Sequence, residues 1–359
     1  MVASGPRVLV VLPVDAPSSL VRGGVYRQQL AADYQVTFCS LYLPHLARLR
    51  QRAAGVANPI ARRLATAPFD TAIVATRAIL SQQLLRTVSD FDRILLVKYF
   101  DARFVEAIRH RSQAQILYDI DDAVWLPEFI GPTEFARITR AVDAVSCDNG
   151  YLRERAARHN QRAFILRGPV QLLPVVPRPA LRPTIIAWIG SPSTLHYLKN
   201  LEAPLARLVV SHPGQFVFRV VGAGYDESQW PRVPGLALQT VPSYDERGMH
   251  QQLAEIDVGV FPLNQDENSL GRGILKATLY MSAGVPAVCS AIGELPIFLQ
   301  SGIDGFACAS IDDWYGAFVQ LIEDAPLRQQ IGERGRKKIE AEFSIDHCYA
   351  VLREQFLDR

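Results

Sequence analysis

The chain has 359 residues, of which 21% are charged and 49% hydrophobic, with a formal net charge of +2. That length exceeds one ordinary core and suits two domains of common soluble composition. The near-neutral balance gives no electrostatic case for a nucleic-acid partner, and none is expected.

Residues 7–14, RVLVVLPV, read as a buried parallel strand. Gly23 and Gly24 then open a helix, VYRQQLAADY, and QVTFCSLYL follows as a second strand. Further strands are expected at 71–75, 93–97, 115–119, 143–147 and 163–167, with helices between most of them. This alternation marks a doubly wound α/β domain over 1–168. Residues 169–183 hold Pro169, Pro174, Pro177, Pro179 and Pro183, which forbid regular structure and predict a stiff linker. A second alternating series spans 184–343: strand IIAWI, a helix after Pro192, strands FVFRVV and LALQTV, and a helix from Asp245. Strand VGVF ends at Pro262, and a helix over about 273–283 precedes Gly284 and the strand at 286–289. The tail, 344–359, reads as a helix.

Five cysteines, odd in number and without a CxxC pair, argue against a disulfide framework or a cysteine zinc site and suit a reducing compartment. The seven histidines show no metal-ligand spacing. No GxSxG, Walker A or GxGxxG pattern is present. The first apolar run is too short for a signal peptide, and no run approaches the roughly 20 apolar residues that span a bilayer, so a cytoplasmic or peripheral protein is expected. Lysine supplies only five of the 38 basic residues, so arginine abundance is partly background.

Chemistry concentrates at predicted strand ends, where α/β sheets bind ligands. The 256–306 segment is a βαβ unit whose loop carries Arg272 and whose helix carries Lys276. Two cations at a helix N-terminus, with the backbone of Gly271, Gly273, Ile274 and Leu275, suit a diphosphate. In WIGSPSTLHYLKN, Gly190, Ser191, Ser193 and Thr194 precede a helix bearing Lys199, which suits phosphate oxygens or simply an N-cap. Val241 and Tyr244 lie in the loop VPSYDERGM after a strand, a loop suited to ligand contact, although Asp245 reads equally as a helix cap. In YDIDDAVW, Asp119, Asp121 and Asp122 end a strand. They read as a DxD metal site, as ligands of sugar hydroxyls, or as loop organisers, and the metal-free readings are preferred. Gly23, Gly24, Arg27 and Lys98 face the same region on topological grounds. Residues 43–68 carry Arg48, Arg50, Arg52, Arg62 and Arg63 and no acid, a pattern for an anionic membrane face or for a solvated helix.

The phrases IDVGVFPL, YMSAGVPAV and GELP…SGIDGF closely resemble the donor region of retaining glycosyltransferase family 4 enzymes. The resemblance is specific over 184–310 and weaker over 1–168. It implies a GT-B fold: two Rossmann-like domains facing a central cleft, the first on the acceptor side, with the last helix crossing back to it. It implies transfer of a sugar from a nucleotide-diphosphate sugar, as co-substrate and with no cofactor or metal, to a hydroxyl of a glycan, lipid-linked sugar or small glycoside. Retention and work at the inner face of a membrane, as in polysaccharide biosynthesis, are further expectations. By the same resemblance, Arg272 and Lys276 neutralise the leaving diphosphate, Val241 and Tyr244 lie beside the nucleobase, and Asp121 with Asp122 positions sugar hydroxyls. The family's paired glutamates would fall at Gly271 and Leu279; neither is acidic, and the basic pattern of some branches stands there instead. A silent scaffold or sugar-nucleotide-binding subunit and an epimerase are the alternatives this departure leaves open.

Overall fold

The computed structural model describes residues 5–12, 22–41, 43, 45–46, 49–50, 53, 59–98, 100–176, 182–224 and 230–359. The chain divides into two units: Met1–Pro169 with Cys348–Arg359, and Val170–His347.

The first unit holds six parallel strands: β1 (Arg7–Leu12), β2 (Gln35–Ser40), β3 (Arg93–Val97), β4 (Gln115–Ile120), β5 (Ala144–Cys147) and β6 (Ala163–Ile165). Their order is β2-β1-β3-β4-β5-β6, so the winding reverses between β1 and β3. The interior strands are apolar runs because helices cover both faces. One expectation fails. Residues 71–75 form no strand; they lie inside a 26-residue helix, Pro59–Leu84, that carries the chain from β2 to β3. The short run TAIVA fits either structure by itself. Burial follows a helical stripe instead, with Thr66 and Leu84 buried while Val74 stands 69% exposed.

The tail belongs to this unit from Cys348 onward. Helix Ile345–Leu352 runs on into a π-helical turn, Arg353–Leu357. Tyr349 donates to Asp33 at 3.0 Å and stacks near Tyr26, and Tyr34 donates to Asp358.

The second unit repeats the plan with β7 (Thr184–Ile189), β8 (Phe216–Val221), β9 (Leu238–Val241), β10 (Val258–Phe261), β11 (Ala287–Ser290) and β12 (Phe306–Cys308). All pair in parallel, in the order β12-β11-β10-β7-β8-β9. The switch point lies between β7 and β10, the Rossmann position for a ligand. Period-2 alternation divides the core in two: Ile185, Ala187 and Ile189 pack on one face, Ile186 and Trp188 on the other. Part of the proline-rich stretch is built into this unit. Val170 and Leu173 are buried, the Val170 amide donates to the Phe343 carbonyl, and Arg336 donates to the Leu173 carbonyl.

Candidate functional site

In the second unit, three loops meet at the carboxyl ends of β7, β8 and β10. β7 ends at Gly190, whose amide bonds to the Val221 carbonyl at 3.0 Å. A Cβ at Gly190 would lie 2.2 Å from the Trp188 ring and 2.8 Å from Lys276 Nζ, so only glycine fits. Gly222, at φ +82°, is equally restricted, since a Cβ there would lie 2.2 Å from the Gly190 carbonyl oxygen, and its amide donates to the Val241 carbonyl at 2.7 Å. The Tyr244 ring covers this junction, with its hydroxyl 3.4 Å from the Gly190 carbonyl.

The loop after β10 holds a short helix, Glu267–Gly271, and the helix expected over about 273–283 follows it as Leu275–Ser282, joined through Arg272, Gly273 and Ile274. The Asp266 carboxylate caps the first, accepting from Ser269 N at 2.7 Å. The second is fixed by Tyr280, whose ring fills the space a Cβ of Gly259 would take. Its hydroxyl accepts from Ile189 N at 2.8 Å and donates to the Val260 carbonyl. That lock ties the helix to β7 and β10 and aims its first turn at the Gly190 loop. Lys276 there donates to Thr194 Oγ1 at 3.2 Å, with its ammonium 4.7 Å from the Trp188 ring centre and 5.4 Å from that of Phe261. Burial, reinforced by the neighbouring Arg272 charge, pulls its pKa down to about 7. It has no carboxylate partner among the described residues. Arg272 lies over Tyr197, 5.8 Å from the ring centre. The Ser191 and Ser193 hydroxyls are 2.9 Å apart and exposed, and Leu275 is 41% exposed. Lys199 is not drawn in: it is exposed, and its side chain makes no hydrogen bond or ion pair among the described residues.

In the first unit, the predicted aspartates do bring charge to the β3 and β4 ends. Asp119, read as a ligand of sugar hydroxyls or as a loop organiser, is buried under Arg22, whose guanidinium donates to both its oxygens at 2.9 and 2.6 Å, which fits the second reading. Arg22 also reaches Asp148 at 2.7 Å, and Ser146 donates to Asp119 at 2.5 Å. Asp119 is therefore an anchor for the segment that leads into Gly23. Lys98, at φ +69° and buried, lies 2.8 Å from Asp121 and 3.1 Å from Asp122. Burial and the Asp122 charge push Asp121 up to about 7, against the pull of Lys98. Gly23 is pinned against Val97 and Leu12, where a Cβ would come within 2.9 and 3.0 Å. Arg27 stacks on Phe38, 3.9 Å from its centre. Among the described residues no group of three His, Cys, Asp or Glu could hold a metal ion.

Sequence reading missed Arg22, Asp148, Trp188, Tyr197 and Tyr280. A signal existed only for Asp148, in CDNG at the end of a predicted strand. The acid-free stretch 43–68 falls largely outside the described residues; Arg48 and Arg52 are among those not described, and nothing is said of the Arg62 side chain.

Residues 185–324 match the family model described as glycosyl transferases group 1. HepE of Anabaena, solved with UDP-glucose, superposes with a TM-score of 0.68 at 12% identity, covering 99% of this chain and all of that one. Sucrose-phosphate synthase of Thermosynechococcus elongatus gives 0.68 at 14%, with the same coverage. N-acetyl-alpha-D-glucosaminyl L-malate synthase of Bacillus anthracis is 27% identical over 99 residues, which is 27% of this chain and 25% of that protein. The match thus spans about a quarter of that curated relative's length.

Proposed function

We propose that this chain, which matches the group 1 glycosyl transferase model over 185–324 and shares the GT-B fold, is a glycosyltransferase that moves a sugar from a uridine-diphosphate sugar to a hydroxyl of a glycan or glycolipid, with retention and without a metal ion. The observation that carries this reading is Lys276, held beneath the Gly190 loop by Thr194 and facing no carboxylate among the described residues. A cation so placed at a helix start awaits an anion. The uridine base is supported by the UDP-glucose bound to HepE. Metal independence is supported by Lys98 and Arg22, which occupy the carboxylates a divalent ion would need.

The reaction this geometry serves is mainly electrostatic. Lys276 and Arg272 take up the charge that develops on the departing diphosphate. The Thr194 hydroxyl and the amides of 273–275 add hydrogen bonds to its oxygens. The acceptor hydroxyl attacks from the face the diphosphate leaves, and its proton passes to a diphosphate oxygen. Asp121 and Asp122 orient hydroxyls on the acceptor side. We extend the reading to a cytoplasmic protein that meets an anionic membrane face around 43–68. Among the described residues, no helix is long and apolar enough to cross a membrane.

The test is a thermal-shift series with UDP, UDP-glucose, UDP-N-acetylglucosamine, GDP and ADP, each with magnesium and with EDTA. At about 100 times Kd, a true ligand adds roughly 2.7 kcal/mol. Stabilisation by uridine ligands in EDTA, lost in Lys276→Met, is expected. Stabilisation that requires magnesium would remove the metal-free reading. No response to any nucleotide would remove the donor site. Binding without turnover would favour a scaffold, and donor consumed without acceptor an epimerase.

A further inference from the structure

The buried ion cluster of the first unit ties together parts of the chain that are far apart in sequence. Arg22 Nε and Nη2 grip Asp119 near the end of β4, and Nη1 reaches Asp148 just past β5. Gly23 follows Arg22 directly and is pressed against Val97 and Leu12, the last residues of β3 and β1. Asp148 has a second task. The same Oδ1 that accepts from Arg22 accepts from the Gly168 amide at 2.8 Å, and the Asp148 carbonyl accepts from Arg167 at 3.3 Å. Pro169 is the last residue before the chain passes to the second unit, and Cys348 is the first on its return. Cys348 is buried in the field of the same cluster. Burial pushes its thiol up to about 11, and the charges of Arg22, Asp148 and Arg167 act on it as well. Tyr26, in the turn Gly24–Tyr26, is buried beside the returning chain, with its ring 5.9 Å from that of Tyr349.

A guanidinium is a rigid planar fork, so its three bonds fix the two carboxylates relative to each other and to Gly23. The cluster is buried, so losing one partner leaves a charge without compensation, and the parts hold or open as one. We propose that Arg22 is a positioning residue for the acceptor side. Through Asp148 it ties the Gly23–Gly24 loop to the two places where the chain leaves and re-enters the first unit. Arg22 touches no reactant; it acts through the backbone of Gly23 and Gly24. The proposal rests on the acceptor-side reading of this unit and not on the donor site.

The test is hydrogen exchange by mass spectrometry on the full chain, with Arg22→Lys, Asp148→Asn and Arg109→Gln. Lysine keeps the charge but has no fork to serve both carboxylates. Asparagine keeps an oxygen for the Gly168 amide but lacks the charge that holds Arg22. Arg109 pairs with Asp143 elsewhere in the unit, so its variant reports a general loss of stability. A weakened hydrogen bond between buried charges raises local opening by about tenfold or more. That rise is expected in 23–30, 166–168 and 348–352 together, in both cluster variants, with the second unit unchanged. A rise confined to the substituted segment, or one that Arg109→Gln reproduces, would overturn the proposal. Turnover of UDP-glucose, followed as UDP release, should fall by a similar factor in kcat, while its KM and the stabilisation by UDP hold. Unchanged kcat, or a loss in KM instead, would also overturn it. If Arg22→Lys does not fold, Asp148→Asn decides. A parent chain that neither binds UDP nor turns over UDP-glucose removes the donor reading, and the exchange pattern then decides this one alone.

Discussion

Lys276 should make nucleotide affinity depend on pH above 7, where the nucleotide's terminal phosphate is already almost fully ionised. With its pKa near 7 in the empty site, about half the molecules carry the ammonium at pH 7 and about one in a hundred at pH 9. A diphosphate oxygen beside Nζ favours the charged form and returns the pKa toward the ordinary lysine value. Binding above pH 7 therefore takes up a proton, and affinity falls by up to about tenfold per pH unit. Between pH 7.5 and 9 the limit is about 30-fold, or about 2 kcal/mol. Below about pH 6 the lysine is charged in both states and adds no slope. A terminal phosphate loses its last proton near pH 6, so the window above 7 belongs to the protein. Calorimetry of UDP binding in two buffers of different ionisation enthalpy counts the protons: about half a proton at pH 7, approaching one by pH 9. A flat affinity from pH 7.5 to 9, or a slope that survives in Lys276→Met, would refute the reasoning.

The empty protein gives the opposite sign. The folded pKa lies below the unfolded one, so the unfolded chain binds more protons between about 7 and 10.5. Stability rises with pH across that window, and the cost of housing the charge is fully present below it. Lys276→Met should then be more stable than the parent at pH 7, by about 1–3 kcal/mol, while failing to bind UDP.

Gly190→Ala puts a methyl against the Trp188 ring and displaces Lys276 Nζ, so UDP affinity should fall by about tenfold or more while the fold persists, as calorimetry and circular dichroism would report. Arg22→Met leaves Asp119 and Asp148 buried without their cation and should cost about 3–5 kcal/mol in denaturant unfolding. Asp121 has a raised folded pKa, so the native state binds more protons between about 4 and 7 and stability falls as pH rises through that range. Asp121→Asn should flatten that part of a melting-temperature profile.

The strands were legible wherever burial on both faces forced a continuous apolar run, as in IIAWI and VGVF. The helix Pro59–Leu84 was not legible at 71–75, because TAIVA satisfies a strand when read alone and declares its helical period only over a longer window. Gly190 could be read as a loop glycine, but its need for glycine is set by Trp188 and by Lys276, 86 positions further along the chain. Arg22 was invisible for a related reason. Its partners lie 97 and 126 residues away, and no local pattern announces a guanidinium that bridges two strand ends. Lys199 misled in the other direction: its spacing placed it in a phosphate loop, while the turn of its 3-10 helix leaves it in solvent.

The buried Lys98 and the half-buried Lys276 are the basis for assigning the diphosphate to the second unit. Both stand at the carboxyl end of a parallel sheet, Lys276 read from the sequence as a diphosphate ligand and Lys98 as an acceptor-side residue. Lys98 lies within 2.8 and 3.1 Å of two carboxylates, so its charge is already spent locally. An incoming phosphate there would meet Asp121 and Asp122 as like charges. Among the described residues, Lys276 meets a hydroxyl, ring faces and another cation, Arg272, and no carboxylate. Its lowered pKa is the signature of that arrangement: burial and the Arg272 charge outweigh what one hydroxyl and two ring faces give back. An anion entering the site relieves both the burial cost and the Arg272 repulsion, and that relief is available for binding and then for the charge that grows on the leaving group. The first unit, with its charges already paired, is suited to neutral hydroxyls. On the proposed reading, the division of labour between donor and acceptor follows from which lysine has been given a carboxylate.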